Sequence, residues 1–278
     1  MDMKPVIVVH GGAWAIPDDL AGCIKIGVKN AATCGFSILA KGGSSLEAVE
    51  AAVQSLEDNK AFDAGHGAVL NADGDVELDA IIMDGKNLAV GAVSCIKNIA
   101  NPVMFARKIM EQTPHIMLTG SGANKFAEKL NIEKIPTEKL VTTNAVEEWE
   151  QYKKYNQSVT SLFSTERMHD TVGAVAIDSK GNLSCATSTG GITNKMVGRV
   201  GDSPIIEAEQ KALVDLEQLA RERNINEDIL VDILYYGGPV YISKEETVAR
   251  FLCLCPCIYC DMEYRHIIFL KYIILFFH

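Results

Sequence analysis

The sequence has no excess of basic residues: 26 lysines and arginines stand against 36 aspartates and glutamates, a net charge of −10 over 278 residues. A nucleic-acid binder shows a basic face, so that class is excluded. Long uncharged apolar runs are also missing. Even in the apolar stretch Phe251–His278, Asp261, Glu263, Arg265 and Lys271 intervene, well short of the roughly 18 residues that span a bilayer. The opening run Val6–Val9 is too short for the core of a secretory leader, and no small-residue cleavage site follows it. The expectation is a cytoplasmic protein with free thiols, without a membrane or nucleic-acid partner.

Four cysteines, Cys23, Cys34, Cys95 and Cys185, sit singly in apolar patterns and read as small buried hydrophobes. The other four, Cys253, Cys255, Cys257 and Cys260, crowd into eight residues. Their C-x-C-x-C-x-x-C run could hold a thiophilic ion. Zinc sites usually place paired ligands on two separated turns, however, and all four thiols here share one apolar segment. No metal site is expected.

What is present is an α/β pattern. Val6–His10 reads as a strand ending at Gly11-Gly12. From Asp19 to Leu39 apolar residues recur at helical spacing, and Gly42-Gly43 can stop the helix. Ser44-Ser45-Leu46-Glu47 has the form of a capping box for a second helix. Segments 75–83 and 88–96 read as strands joined by Asp84-Gly85-Lys86-Asn87, a tight-hairpin signal. Asn101-Pro102 opens a helix to about Gln112, and further helical patterns lie near 121–131 and 144–155. Lys153–Met168 is polar and aperiodic, an exposed loop. Directly after it come Thr171–Ile177 and Leu183–Thr187, β-rich and joined by Asp178–Asn182.

That abrupt change makes Thr171 conspicuous. A threonine opening a strand is ordinarily a good β-former and nothing more. Here it follows Asp170 and a long loop, and the neighbouring strand runs into Ser188-Thr189-Gly190-Gly191. A threonine hydroxyl needs a base to become a nucleophile. Cleavage before Thr171 would create an α-amine on the same residue, with a reference pKa of roughly 7.7–8.0, able to accept the hydroxyl proton without any histidine. The hydroxyl itself can make the cut by attacking the carbonyl of Asp170.

Five motifs complete the picture: His10-Gly11-Gly12-Ala13; Phe62-Asp63-Ala64-Gly65-His66-Gly67; Val76-Glu77-Leu78-Asp79-Ala80 with Met83-Asp84-Gly85; His169–Ala176; and Thr187-Ser188-Thr189-Gly190-Gly191 with Gly198-Arg199-Val200-Gly201-Asp202-Ser203-Pro204. In content, order and spacing they resemble the plant-type L-asparaginase/isoaspartyl peptidase family over about residues 4–204. The resemblance implies an αββα sandwich of the N-terminal-nucleophile hydrolase type and self-cleavage into chains 1–170 and 171–278. It also implies hydrolysis of L-asparagine and of β-aspartyl dipeptides, with no redox or nucleotide cofactor, and pairing of two αβ units.

By the same resemblance, Thr171 is the nucleophile and Thr189 its hydroxyl neighbour. Arg199 clamps the substrate carboxylate and Asp202 takes its ammonium group, with Val200 and Gly201 between them. Charge and shape suit both roles, with a mutual Arg199–Asp202 ion pair as the lesser alternative. A structural sodium on backbone carbonyls would fall near Leu56–Phe62. Glu77 and Asp79 could be an acid/base pair, but with the Thr171 amine as base a hydrogen-bonding role is expected of them. His66 reads as a loop residue near the site.

Two departures stand out. Asp63 occupies a position where many members carry asparagine, and an ionised carboxylate accepts but cannot donate; position 63 is a site-support candidate on that condition. Beyond residue 204 the family's glycine-rich stretch and Thr-Gly strand, which supply the oxyanion hole, have no counterpart. Ile206–Arg223 is a charged helical pattern instead, and Gly237–Ser243 is a weak match to a late strand. Residues 171–204 are therefore family-like and 205–278 divergent. The alternative reading is a variant of the same family that is inactive or does not mature.

Overall fold

A computed structural model describes residues 4–12, 16, 18–155, 171–205 and 273–276. The architecture is mixed α/β. Strand β1 (Val6–His10) is followed by helices α1 (Asp18–Ala40) and α2 (Ser45–Glu57), the hairpin β2 (Leu78–Asp84) and β3 (Ala89–Ile96), and helix α3 (Pro102–Gln112). Then come β4 (Met117–Thr119), α4 (Gly120–Lys129), α5 (Thr137–Leu140) and α6 (Thr143–Tyr155), before β5 (Val172–Ile177), β6 (Leu183–Thr189) and the short β7 (Ile273–Phe276). The strands form one sheet in the order β4-β3-β2-β6-β5-β1-β7. Among the pairings of the described strands, β3–β4 alone is parallel.

Local chemistry sets the helix boundaries. Helix α1 stops in a Schellman turn: Gly42 adopts φ +81°, its N–H meets the Leu39 carbonyl, and the Gly43 N–H reaches Ile38. Helix α2 starts on the complete capping box, with the Ser44 side chain accepting from Glu47 N–H and the Glu47 carboxylate accepting from Ser44 N–H. Gly35 lets α1 close on α2, because a Cβ there would stand 2.7 Å from the Ala48 carbonyl.

One sheet face carries Ile7, Val9, Ala80, Ile82, Val93, Ala174 and Ala186, packed against Val28, Val49, Val53, Phe105 and Ile109 of the helices. Burying this set supplies the main stabilisation, at about 25 cal/mol per Å² of apolar surface. The opposite face carries Val6, Met83, Ile177, Leu183 and Cys185. Strand alternation places Thr171, Gly173, Thr187 and Thr189 on this second face.

Several expectations change. Strand β2 begins at Leu78, not at 75, and its register shifts between Leu78 and Ala80. In the 84–88 turn the positive φ falls on Leu88 (58°), not on Gly85. Gly85 is needed for space, since a Cβ there would lie 2.6 Å from the Leu183 carbonyl. Helix α6 runs to Tyr155, so the polar segment is helical at its start. Cys23 and Cys34 are exposed, not buried. They are eleven residues apart, and so share the face of α1 turned away from the core-facing Ile24, Val28 and Ala31. Cys185 is buried as expected. The Cys253–Cys260 cluster, the Ile206–Arg223 pattern and the Gly237–Ser243 motif lie outside the described residues, as does Asp170. No described helix is long and apolar enough to cross a membrane.

Candidate functional site

The register brings the candidate residues to one end of the sheet. Thr189 of β6 pairs with Asp79 of β2, Ser188 pairs with Val172, and Gly173 pairs with His10 of β1. Thr171 therefore immediately precedes β5 beside the last residues of β6, on the sheet face away from the helices. Its hydroxyl lies 2.6 Å from that of Ser203. Ser203 is itself buried, and its carbonyl accepts a hydrogen bond from Thr187 Oγ1 at 2.9 Å. The Thr189 hydroxyl accepts from Gly191 N–H at 2.8 Å, which folds the Gly190-Gly191 turn back onto β6.

Position 190 must be glycine. A Cβ there would stand 2.1 Å from Asp63 Oδ1, and the Gly190 N–H donates to the Asp63 carbonyl at 2.9 Å. Asp63 is buried, and its Oδ1 also accepts Val69 N–H at 2.9 Å. The carboxylate thus lies directly behind Thr189 and accepts from the backbone, the capacity an ionised aspartate has.

Arg199 rides on the loop after β6. The loop is tied to the residue just before β2: Gly198 N–H donates to Glu77 Oε2 at 3.0 Å, and the fully buried Lys195 donates to the Glu77 carbonyl at 2.7 Å. The Lys195 ammonium and a guanidinium nitrogen of Arg199 lie 3.0 and 3.3 Å from where a Cβ on Gly191 would stand. Arg199 also rests along Gly201, 3.0 Å from the corresponding point. Val200 is exposed, and Asp202 closes the loop by accepting Ile205 N–H on its carbonyl at 2.8 Å. Glu77 and Asp79 make backbone hydrogen bonds, as expected of them; Asp79 Oδ1 accepts Cys95 N–H at 2.8 Å. Burial pushes the Asp79 carboxyl up, opposed by Lys195, the Cys95 N–H and Arg199.

Sequence reasoning missed two groups. His10 was visible only as part of a glycine motif. Its Nε2 occupies the space over Gly173, 2.4 Å from where a Cβ would sit, and burial pushes its pKa down to about 4. The ring is therefore neutral at pH 7. Glu57, at the end of α2, lies on the helical side of the sheet with Oε1 accepting Val103 N–H at 2.9 Å. Burial pushes its pKa up to about 8, eased by the nearby Ser188 hydroxyl and that N–H. No one-dimensional pattern announces a buried carboxyl in a helix that also reads as amphipathic. His66 is tied to the end of α2: its N–H donates to the Glu57 carbonyl at 2.7 Å, and Nδ1 is 4.0 Å from Asp58. In the 56–62 loop the carbonyl oxygens of Lys60 and Phe62 lie 2.8 and 2.7 Å from where a Cβ on Gly67 would stand.

A family described as Asparaginase matches residues 3–212. The isoaspartyl peptidase/L-asparaginase of Xenopus laevis is 54% identical over 204 residues, 73% of this chain and 65% of the relative. That of Rattus norvegicus is 52% identical over 209 residues, 75% of this chain and 62% of the relative. A plant-type L-asparaginase of Pyrococcus horikoshii is 44% identical over 213 residues, 73% of this chain and 68% of the relative. The chain thus spans less than two thirds of the length of the first two relatives.

Proposed function

The chain belongs to the asparaginase family, and from that premise we propose that it is a threonine-dependent amidohydrolase. It cleaves itself between Asp170 and Thr171, then hydrolyses L-asparagine to L-aspartate and ammonia and opens β-aspartyl dipeptides. The observation that carries this reading is the position of Thr171: first residue before β5, on the face away from the helices, with Thr189 and the Arg199–Asp202 loop at the same end of the sheet.

In the mature form the Thr171 amine takes the hydroxyl proton as Oγ1 attacks the side-chain amide carbon of the substrate. The tetrahedral intermediate expels ammonia, or the peptide amine, with that same proton. Water then opens the acyl ester, the amine again serving as base. Arg199 binds the substrate carboxylate with its forked donors and Asp202 the ammonium, so a β-amide is the group presented to Thr171. Thr189 supports the proton path, and Asp63 supports the site by fixing Gly190. The complete fold would be an αββα sandwich of chains 1–170 and 171–278, paired as a homodimer of αβ units. A sodium ion on the carbonyls of the Leu56–Phe62 loop would be a stabiliser of the fold.

The test is a denaturing gel of purified protein beside Thr171→Ala, followed by an ammonia-release assay on L-asparagine. Two bands in the wild type and one in the variant, with ammonia released only by the wild type, support the reading. A wild-type chain that stays whole identifies the non-maturing variant of the family.

A further inference from the structure

Self-cleavage poses a problem that turnover does not. Before the cut, the nitrogen of Thr171 belongs to a peptide bond; its lone pair is delocalised into the carbonyl and cannot act as a base. The internal base of the mature enzyme does not yet exist when it is first needed. Another group must receive the Thr171 hydroxyl proton in the uncut chain.

The uncut chain holds a hydroxyl in the right place. Ser203 Oγ lies 2.6 Å from Thr171 Oγ1, a short O–H···O distance. Ser203 is almost wholly buried. Its backbone is pinned to the same strand, since Thr187 Oγ1 donates to the Ser203 carbonyl at 2.9 Å and Thr187 pairs with Gly173, two residues along β5. The side chain is thus held against Thr171 by β6, independently of any substrate.

We infer that Ser203 is a catalytic residue of the self-cleavage step, relaying the Thr171 hydroxyl proton to the departing nitrogen. This rests on the reading that the chain cleaves before Thr171. Oγ1 attacks the Asp170 carbonyl carbon and a C–O bond forms. The Oγ1 proton passes to Ser203 Oγ while the Ser203 proton passes to the Thr171 nitrogen, which leaves as an amine when the C–N bond breaks. Ser203 is regenerated, and one proton has moved from oxygen to nitrogen within one residue. Water opens the resulting ester to give the Asp170 carboxylate and free Thr171. Both ends of the transfer belong to Thr171, so one hydroxyl held at Oγ1 can serve both.

The experiment follows the full-length chain on a denaturing gel over time for wild type, Ser203→Ala, Ser203→Thr and Thr187→Val, with circular dichroism as the check on folding. Ser203→Ala should cleave on the order of a hundredfold more slowly, and Ser203→Thr, which keeps the hydroxyl, should recover most of the rate. Should Ser203→Ala fail to fold, Thr187→Val decides the question. It keeps the shape and loosens only the Ser203 anchor; slower cleavage supports the relay and an unchanged rate overturns it. A folded Ser203→Ala that cleaves at the wild-type rate overturns the relay and leaves the proposed function standing. A wild type that never cleaves overturns both, because Ser203 then has no cleavage to serve.

Discussion

The two ends of the β2–β6–β5 sheet segment handle buried polar groups in opposite ways. At the end away from Thr171, Asp178 is saturated. Its Oδ1 accepts from Lys180 N–H, Asn182 N–H and the Asn182 amide, and its Oδ2 from Ser45 N–H and the Asn182 amide. At the Thr171 end, Asp79 Oδ2 is buried without a hydrogen-bond partner among the described residues, and the Glu57 carboxyl is buried with its pKa pushed up. Buried polar groups of that kind are expensive, and the Thr171 end carries that cost while the Asp178 end does not. The concave surface misleads here. A cavity of about 190 Å³ lined by Ser44, Ser45, Asp84, Lys86, Lys180 and Asn182 lies at the saturated end, where the protein itself already occupies the polar atoms.

Substitutions at the two ends should therefore separate chemistry from stability. The largest effect is expected from Thr171→Ala, which should abolish self-cleavage while leaving the urea midpoint essentially where it was; a lowered midpoint would mean that the reactive end is structural too. Next is Arg199→Ala. Losing the forked carboxylate clamp should raise KM for L-asparagine on the order of a hundredfold, again with little change in thermal stability. Steady-state kinetics on the matured protein check this, and a fall in kcat at constant KM would remove Arg199 from substrate binding.

At the saturated end the signs reverse. Asp178→Ala strands several donors, among them Ser45 N–H at the start of α2, and should destabilise by about 2–3 kcal/mol in urea titration while the cleavage rate of the folded fraction stays unchanged. A smaller and graded effect belongs to His10. Its folded pKa of about 4 lies below the ordinary histidine value of 6.5, so only the unfolded chain takes up the proton between those values. Its contribution to stability is present above pH 6.5 and is lost as pH falls towards 4, at about 1.4 kcal/mol per pH unit at the steepest. Unfolding titrations at pH 7, 6 and 5 of wild type and His10→Asn should show the wild type losing more. Parallel curves would show that the ring is not held neutral by burial.

Much of this was legible in one dimension. The capping box at Ser44, the Gly42-Gly43 stop, the proline-opened α3 and the strand at Val172 are local devices, written by the residues that perform them. So was the proposal for Thr171, because a nucleophile that supplies its own base needs only a cleavable bond and a strand start. The exposure of Cys23 and Cys34 escaped a reading by neighbours, because it depends on which side of α1 meets the sheet. The β2 start escaped for a similar reason: the register shift at Leu78–Ala80 is fixed by the Cys95 N–H that Asp79 receives from across the hairpin.

The sequence by itself determined the family, and it put forward Thr171 as the proposed nucleophile and Arg199 with Asp202 as the proposed charged pair, since these are carried by residue types at fixed spacing. The tertiary structure alone decided which hydroxyl meets Thr171. Ser203 is 32 residues away along the chain, and it is the fold of the loop after β6, anchored through Thr187 and Glu77, that brings it within hydrogen-bonding distance. Spacing along a strand fixes which face a side chain takes, but only packing between distant segments fixes what it meets there.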